Sequence, residues 1–235
     1  MITLYGMTSP NVVKIIIALE ELGLPYELKA VDVFKGEQFD AEFLKLNPLA
    51  KVPVIVDTAG PDGKPYTVFE SGAILIYLAE KTGKLLPREG KARYDAMQWL
   101  MIQLTGVGPM FGQYVHFIRF AAQGNEYSVS RYRTQVKRLC EVLDRRLGEA
   151  EYLGGAEYTI ADIATIPWTR DLKLFLGDGV AAYPKLMAWV EKLDKRPAVA
   201  RAVALLEKMR ATLTAFDKAA PENLDKMFGR GKHAA

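Results

Sequence analysis

The segment Met7-Thr8-Ser9-Pro10-Asn11 places hydroxyl groups, an amide and a proline directly before an apolar helical pattern. It follows a short strand, Ile2-Thr3-Leu4-Tyr5, so these groups and the free backbone N–H groups stand at a helix N-terminus. Unpaired N–H groups and the helix dipole favour anions at such a position. Ser9 and Asn11 also suit a simple helix cap. The local sequence leaves both interpretations open.

Two later segments have related chemistry. Val52-Pro53 directly precedes a strand, where a trans proline would lose a ladder hydrogen bond. A cis bond there would turn the chain and expose the N–H and C=O of Val52. Glu70-Ser71 begins another helix, and Ser71 is either an N-cap or a ligand for a carboxylate through its hydroxyl and the free N–H groups.

The elements that must position these segments follow from two periodicities. One helical face is predicted after Pro10, and Gly23 ends that helix. Apolar and polar residues alternate from Tyr26, which predicts the second strand. The strand-helix-strand order implies that this strand is parallel to the first, with a right-handed crossover. The predicted order is βαβαββα, an α/β layer. After the second strand it continues with a short helix, a third strand, the Gly60–Gly63 turn, a fourth strand and a helix from Ser71.

The strand pattern stops after the Pro/Gly linker at residues 86–90, and helices alone follow. We expect a helix over 91–120 broken near Pro109, a long helix over 127–147, and helices beginning at Tyr158, Tyr183 and Pro197. Thr159 and Asp162 form a capping motif, so Asp162 is interpreted as structural. The predicted domains are residues 1–84, an all-α domain at 90–215 and a tail at 216–235.

Composition is that of an ordinary globular protein: 50% of the 235 residues are hydrophobic and the net charge of +3 is spread along the chain, which argues against a nucleic-acid-binding protein. One cysteine, Cys140, excludes an internal disulfide and a Cys-based zinc site, and two histidines are too few for a His-rich metal cluster. We expect no metal, no signal peptide, no membrane span and a cytoplasmic location.

The ordered set of motifs resembles the cytosolic glutathione transferase superfamily over about residues 1–210. The motifs are the strand-Ser-Pro-helix start, Lys51-Val52-Pro53, Phe69 to Ile74 and Tyr158 to Asp162. The resemblance implies a thioredoxin-like N-terminal domain, an all-helical C-terminal domain and a homodimer. Gly36 to Phe39, Gly108 to Gln113 and Arg131-Tyr132 are most similar to the bacterial Nu class, which contains glutathione-dependent disulfide-bond oxidoreductases.

The resemblance also implies roles for individual residues toward glutathione, which is a co-substrate. The Val52 backbone, beside Pro53, would pair with the cysteinyl part, and Glu70 and Ser71 would hold the γ-glutamyl end. Gln38 and Lys51 would face the glycyl carboxylate. The residues expected near the sulfur are Ser9 and Asn11, and Arg131 is expected to reach glutathione from the same or the other subunit.

Neutral donors suffice to hold the glutathione sulfur as a thiolate. A thiol of pKa about 8.5 is only about 3% ionised at pH 7, and lowering the pKa by about two units requires about 2.7 kcal/mol. A helix N-terminus contributes up to about 2 kcal/mol, and hydrogen bonds to the charged sulfur about 1.5–3 kcal/mol. Ser9 therefore need not be a nucleophile, and with Cys140 expected in the core the reacting sulfurs would come from glutathione itself.

A second-substrate pocket is expected between the domains, with Met7, Met110, Tyr114 and Phe117 as candidate lining residues. The sequence predicts a glutathione-dependent disulfide reductase and peroxidase that acts on a disulfide, a peroxide or an electrophile. One alternative is a transferase that conjugates electrophiles or cleaves aromatic thioethers. An alternative of another class is a non-catalytic protein that binds glutathione or a hydrophobic ligand.

Overall fold

The structure, a computed structural model of the chain, describes residues 1–234. Of these, residues 1–74 with 200–234 group into one compact unit and residues 75–199 into another. These are sets of residues that pack with one another, and the domain limits 1–84, 90–215 and 216–235 remain a prediction.

The first unit is built on a four-stranded mixed sheet. Its strands are β1 (Ile2–Gly6), β2 (Tyr26–Ala30), β3 (Val54–Asp57) and β4 (Tyr66–Phe69), in the order β2-β1-β3-β4. β1 pairs with β2 in parallel and with β3 antiparallel, and β3 and β4 form the antiparallel edge hairpin. The predicted fold class and the parallel first pair are confirmed.

Three helices accompany the sheet in the predicted order: α1 (Pro10–Leu22), α2 (Ala41–Leu46) and α3 (Ser71–Thr82). Gly23 ends α1 in the left-handed conformation with φ 65°, which a residue without Cβ adopts at no steric cost. The sequence predicted one buried face for α1, but every residue from Val12 to Leu19 is buried, Lys14 included. A short 3-10 helix, Glu37–Phe39, was not predicted.

The second unit is helical. It contains α4 (Gly90–Ile102), α5 (Gly108–Arg119), α6 (Glu126–Glu149), α7 (Ile160–Thr169), α8 (Leu172–Leu176) and α9 (Pro184–Asp194). The predicted break near Pro109 is a π-helical turn, Gln103–Val107, and Pro109 lies in the first turn of α5, where its missing N–H costs nothing.

The capping motif predicted at Tyr158 to Asp162 is confirmed. The Thr159 hydroxyl accepts from the N–H of Ala161, and an Asp162 oxygen accepts from the N–H of Thr159 at 3.0 Å. The predicted core position of Cys140 is also confirmed, since its side chain is fully buried on α6.

The chain continues in α10 (Pro197–Arg210) and α11 (Pro221–Phe228), the second of which the sequence did not predict. Over residues 1–234 no helix is both long and apolar enough to cross a membrane. The same residues hold no cluster of three or more His, Cys, Asp or Glu side chains suited to a metal ion.

Candidate active site

Strand pairing brings the predicted segments of the first unit to one edge of the sheet. Tyr5, near the end of β1, pairs with Val54 at the start of β3, and Val54 pairs with Phe69 at the end of β4. The segments that follow β1, precede β3 and follow β4 therefore leave the sheet side by side. They carry the predicted residues Ser9, Asn11, Val52, Glu70 and Ser71. Because Gly6 pairs with Ala30, the loop after β2 that contains Gln38 begins at the same edge.

The N-terminus of α1 leaves the Ser9 hydroxyl out of the helix cap. Ser9 has extended N-cap geometry, with φ −116° and ψ 151°, and its carbonyl accepts from the N–H groups of Val12 and Val13 at 3.0 and 2.9 Å. Within the described residues its side chain makes no capping hydrogen bond. Ser9 and Asn11 are half-buried and lie at the positive end of the helix dipole.

The Lys51-Val52-Pro53 segment is held by a buried asparagine. The Val52–Pro53 bond is cis. Asn47 is 1% exposed, and its Nδ2 donates to the carbonyl of Lys51 at 2.7 Å while its Oδ1 accepts from the N–H of Leu49 at 3.0 Å. Val52 precedes the first paired residue of β3, so its N–H and C=O lie outside the ladder. Sequence reasoning missed Asn47, although a lone amide before a Pro-containing loop is a recognisable turn signal.

Glu70 and Ser71 form a strained junction between β4 and α3. Glu70 has a positive φ of 69°, in the left-handed region that non-glycine residues avoid, and its carbonyl accepts from the N–H of Ile74 at 2.9 Å. Such strain concentrates at functional sites. The Glu70 side chain is exposed and Ser71 is buried, so an acceptor for an ammonium stands next to the free N–H groups of a helix start.

A buried lysine lies behind this junction. Lys14 of α1 is 0% exposed, and its Nζ donates to Ser71 Oγ at 3.2 Å. Burial lowers the pKa of Lys14 to about 7, although the Glu70 carboxylate has the opposite effect and raises it. Sequence reasoning missed this residue, although one lysine between Val13 and Ile15 in an apolar run was a visible signal.

Gln38 lies in the loop after β2 and is only 3% exposed. Its Oε1 is buried without a hydrogen-bond partner among residues 1–234. A buried amide oxygen without a partner is uncommon in native structures. Asp32 holds the loop, since its Oδ1 accepts from the N–H groups of Phe34 and Lys35 at 3.2 and 3.3 Å. The expected contact of Gln38 with a glycyl carboxylate stays a prediction, and it requires more exposure than the side chain has here.

The C-terminal segment packs against this same loop. The N–H of Thr214 donates to Asp32 Oδ2 at 2.8 Å, and Asn223 Nδ2 donates to the carbonyl of Phe34 at 3.2 Å. The Phe216 ring contacts the Phe34 ring edge-on, with centroids 5.8 Å apart. The predicted tail thus belongs to the first unit by its contacts.

The remaining candidates lie in the second unit, Met7 excepted. Met110, Tyr114 and Phe117 lie on α5 at spacings of four and three, which places them on one face. Tyr114 is 6% exposed, and its hydroxyl donates to the carbonyl of Phe175 at 3.4 Å. The Phe117 ring stacks on the Tyr132 ring, with centroids 5.4 Å apart. Met7 is half-buried after β1, and Arg131 is exposed on α6. Their assignment to a second-substrate pocket and to glutathione stays a prediction.

Family models for two consecutive regions match the chain. The glutathione S-transferase N-terminal domain matches residues 1–80, and the glutathione S-transferase C-terminal domain matches residues 100–197. This chain belongs to the glutathione S-transferase family. The family resemblance expected from the motifs is confirmed.

Two relatives from Escherichia coli (strain K12) are disulfide-bond oxidoreductases. YfcG is 46% identical over 204 residues, which cover 86% of this chain and 94% of that protein. YghU is 38% identical over 214 residues, which cover 84% of this chain and 78% of that protein.

Solved structures of relatives contain glutathione. A glutathione transferase family member from Pseudomonas fluorescens pf-5, with two glutathione bound, is 46% identical with a TM-score of 0.82 and covers 86% of this chain and 92% of its own. A glutathione transferase from Pseudomonas putida, with one glutathione disulfide bound per subunit, is 41% identical with a TM-score of 0.81. The match covers 86% of this chain and 90% of that protein chain.

Proposed function

We propose that this chain is a glutathione-dependent disulfide-bond reductase that uses the thiolate of bound glutathione and no protein cysteine. The observation that carries the proposal is the meeting of the Ser9–Asn11, Val52 and Glu70–Ser71 segments at one edge of the sheet. These segments offer donors for a thiolate, a free backbone pair for a peptide and an ammonium acceptor beside a helix N-terminus. The oxidoreductase relatives and the glutathione-containing structures support it.

In this proposal the Ser9 hydroxyl and the Asn11 amide donate hydrogen bonds to the glutathione sulfur, and the start of α1 adds its dipole. Together these interactions supply the roughly 2.7 kcal/mol that lowers the thiol pKa by about two units. The freed proton goes to solvent. The Val52 backbone fixes the cysteinyl residue, and the Glu70 carboxylate accepts from the γ-glutamyl ammonium.

The reduction proceeds by two exchanges. The bound thiolate attacks one sulfur of the disulfide substrate, the S–S bond breaks, and a mixed disulfide and a substrate thiolate form. A second glutathione thiolate attacks the glutathione sulfur of the mixed disulfide and releases the other substrate thiolate. The products are two substrate thiols, after protonation, and oxidised glutathione.

Cys140 has no role in this cycle. Its side chain is fully buried, and burial raises the pKa of the thiol to about 12, so it is protonated at neutral pH. We further propose that the protein acts in the cytoplasm, which is a reducing compartment that supplies glutathione. We also propose that it assembles as a homodimer. A hydroperoxide or an electrophilic carbon attacked by the same thiolate is a further expected substrate.

The test is the glutathione-dependent reduction of 2-hydroxyethyl disulfide by the full chain. We expect Asn11→Ala to lower kcat/KM by about 10- to 100-fold, which corresponds to one hydrogen bond to a charged sulfur. Cys140→Ser serves as the control and should keep the wild-type rate. Thiolate absorbance of the bound glutathione should fall in Asn11→Ala at constant pH.

The alternatives give different results. Conjugation of 1-chloro-2,4-dinitrobenzene without disulfide turnover would show a transferase in place of a reductase. Glutathione binding with neither reaction would show a non-catalytic binding protein. Loss of turnover in a folded, glutathione-binding Cys140→Ser variant would refute a mechanism without protein sulfur.

A further inference from the structure

Lys14 is a fully buried charged side chain next to the candidate site, and the proposed cycle does not use it. It lies in α1 with no exposed surface, and its Nζ is 3.2 Å from Ser71 Oγ at the start of α3. Lysine is almost never fully buried unless its ammonium is paired, because desolvation of the charge is unfavourable. The apolar core that surrounds α1 would accept methionine at this position more readily, so the ammonium calls for a functional reason.

We propose that Lys14 is a positioning residue for the γ-glutamyl α-carboxylate of glutathione and acts through Ser71. An ammonium group carries three donors and no acceptor. Ser71 Oγ therefore accepts from Lys14 and turns its own hydroxyl proton away, toward the ligand carboxylate. This inference rests on the proposed function, which places glutathione at the Glu70–Ser71 junction.

The charges around Lys14 make its protonation sensitive to the ligand. Burial lowers its pKa to about 7, and the Glu70 carboxylate is the charged group that acts against this effect. Near neutral pH the side chain is therefore only partly protonated. A neutral amine can accept a hydrogen bond, so Ser71 could then donate inward and be lost as a donor to the ligand. A carboxylate bound at Ser71 favours the ammonium form of Lys14, whereas the γ-glutamyl ammonium bound at Glu70 acts in the opposite direction. In this proposal the carboxylate shares the Ser71 hydroxyl with Lys14 and has the larger effect, so ligand binding draws a proton onto Lys14.

Calorimetric titration of the full chain with S-methylglutathione tests this coupling. The methyl group removes the thiol proton, so the sulfur releases none on binding. Titrations at pH 7.5 in phosphate and in Tris, buffers with different ionisation enthalpies, give the number of protons taken up. We expect the wild-type protein to take up about half a proton per ligand.

Lys14→Met removes the charge and keeps the length and apolar character of the side chain. We expect it to take up no proton and to bind S-methylglutathione about five- to twentyfold more weakly. Its melting temperature should be equal or higher, because a buried ammonium has been replaced by an apolar group. Lys14→Gln, which keeps an uncharged donor, provides a second variant with the same expected loss of proton uptake. Lys64→Met, in the exposed turn, is the matched control and should behave as wild type.

Two further measurements separate positioning from a general effect. Ser71→Ala should reduce affinity in the wild-type background, and little further in Lys14→Met, because both changes remove the same donor. The S-methylated tripeptide in which 4-aminobutyrate replaces the γ-glutamyl residue lacks the α-carboxylate. Wild type and Lys14→Met should bind it with equal affinity.

The outcomes distinguish this inference from the proposed function. No binding of S-methylglutathione by wild type would overturn both. Binding without proton uptake, or uptake that persists in Lys14→Met and Lys14→Gln, would overturn only the role of Lys14. An equal loss of affinity for the analogue without the carboxylate would do the same.

Discussion

Asp162 allows a stability prediction in which both magnitude and pH dependence come from the structure. Its carboxylate is fully buried and accepts four hydrogen bonds. Oδ1 accepts from the N–H of Leu153 at 2.9 Å and from Trp189 Nε1 at 3.2 Å. Oδ2 accepts from the N–H and the hydroxyl of Thr159 at 3.0 and 3.2 Å. The group therefore connects the start of α7 with the preceding loop and with α9.

Asp162→Ala leaves three N–H donors buried without an acceptor. Each such donor costs about 1–3 kcal/mol, and removal of the buried charge offsets part of the total. We expect the free energy of unfolding at pH 7 to fall by about 3–5 kcal/mol. Asp162→Asn keeps one acceptor oxygen and turns an NH₂ group toward the donors of Thr159, so we expect a smaller loss of about 1–3 kcal/mol.

The pH dependence has a definite sign. Burial raises the pKa of Asp162 from 3.8 to about 6 in the folded chain, while its hydrogen bonds act in the opposite direction. Between these values the folded state binds more protons than the unfolded state, so this group makes the protein less stable as the pH rises through 6. The contribution is on the order of 1 kcal/mol between pH 5 and pH 8. Asp162→Asn lacks this titrating carboxyl. The free energy of unfolding that it loses relative to wild type should therefore be larger at pH 5 than at pH 8, by on the order of 1 kcal/mol.

Urea unfolding followed by tryptophan fluorescence at pH 5 and pH 8 measures both effects. Asp178→Asn, at an exposed position, is the matched control and should stay within about 0.5 kcal/mol of wild type at either pH. An Asp162→Ala loss below about 1 kcal/mol would refute the role of the four hydrogen bonds. An Asp162→Asn difference that does not change with pH would refute the raised pKa.

Three other predictions, one on the unchanged protein and two on variants, test the site and its supports. Native Cys140 should not react with iodoacetamide, since its buried thiol has a pKa near 12; alkylation seen by mass spectrometry before unfolding would contradict this. Asn47→Ala should raise KM for glutathione about five- to tenfold with little change in kcat, because the carbonyl of Lys51 loses its 2.7 Å partner; an unchanged KM would exclude Asn47 as a support. Asn223→Ala should speed amide exchange around Phe34 about fivefold by hydrogen-exchange mass spectrometry, since one hydrogen bond of about 1 kcal/mol is lost; unaltered exchange would mean that this contact does not hold the loop.

The sequence was most informative where structure depends on near neighbours. Strand alternation, the stop at Gly23 and the cap at Thr159 are signals within a few residues, and each appears as predicted. The parallel pairing of β1 and β2 followed from the strand-helix-strand order, because a right-handed crossover leaves one arrangement.

Sequence reasoning failed where partners are distant along the chain. α11 is short and largely polar, and its neighbour is the loop after β2, contacted through Asn223 and Phe34. No local pattern encodes such a partner. Lys14 was visible as a lysine in an apolar run, but its burial and its partner Ser71, 57 positions away, were not predictable. Periodicity around Lys14 describes a helix with one buried face and not a helix buried on every side.

The sequence by itself determined the order of strands and helices from β1 to α3, the family and the residue types at the candidate site, because these depend on local conformational preference and on motif order. Only the tertiary structure decided that the ends of β1 and β4 and the start of β3 meet at one edge. It also decided that a lysine lies beneath Ser71 and that the C-terminal segment covers the loop after β2. These contacts are between residues that are dozens to nearly two hundred positions apart in the sequence. They are determined by strand register and core packing, which depend on the arrangement of the whole chain in space.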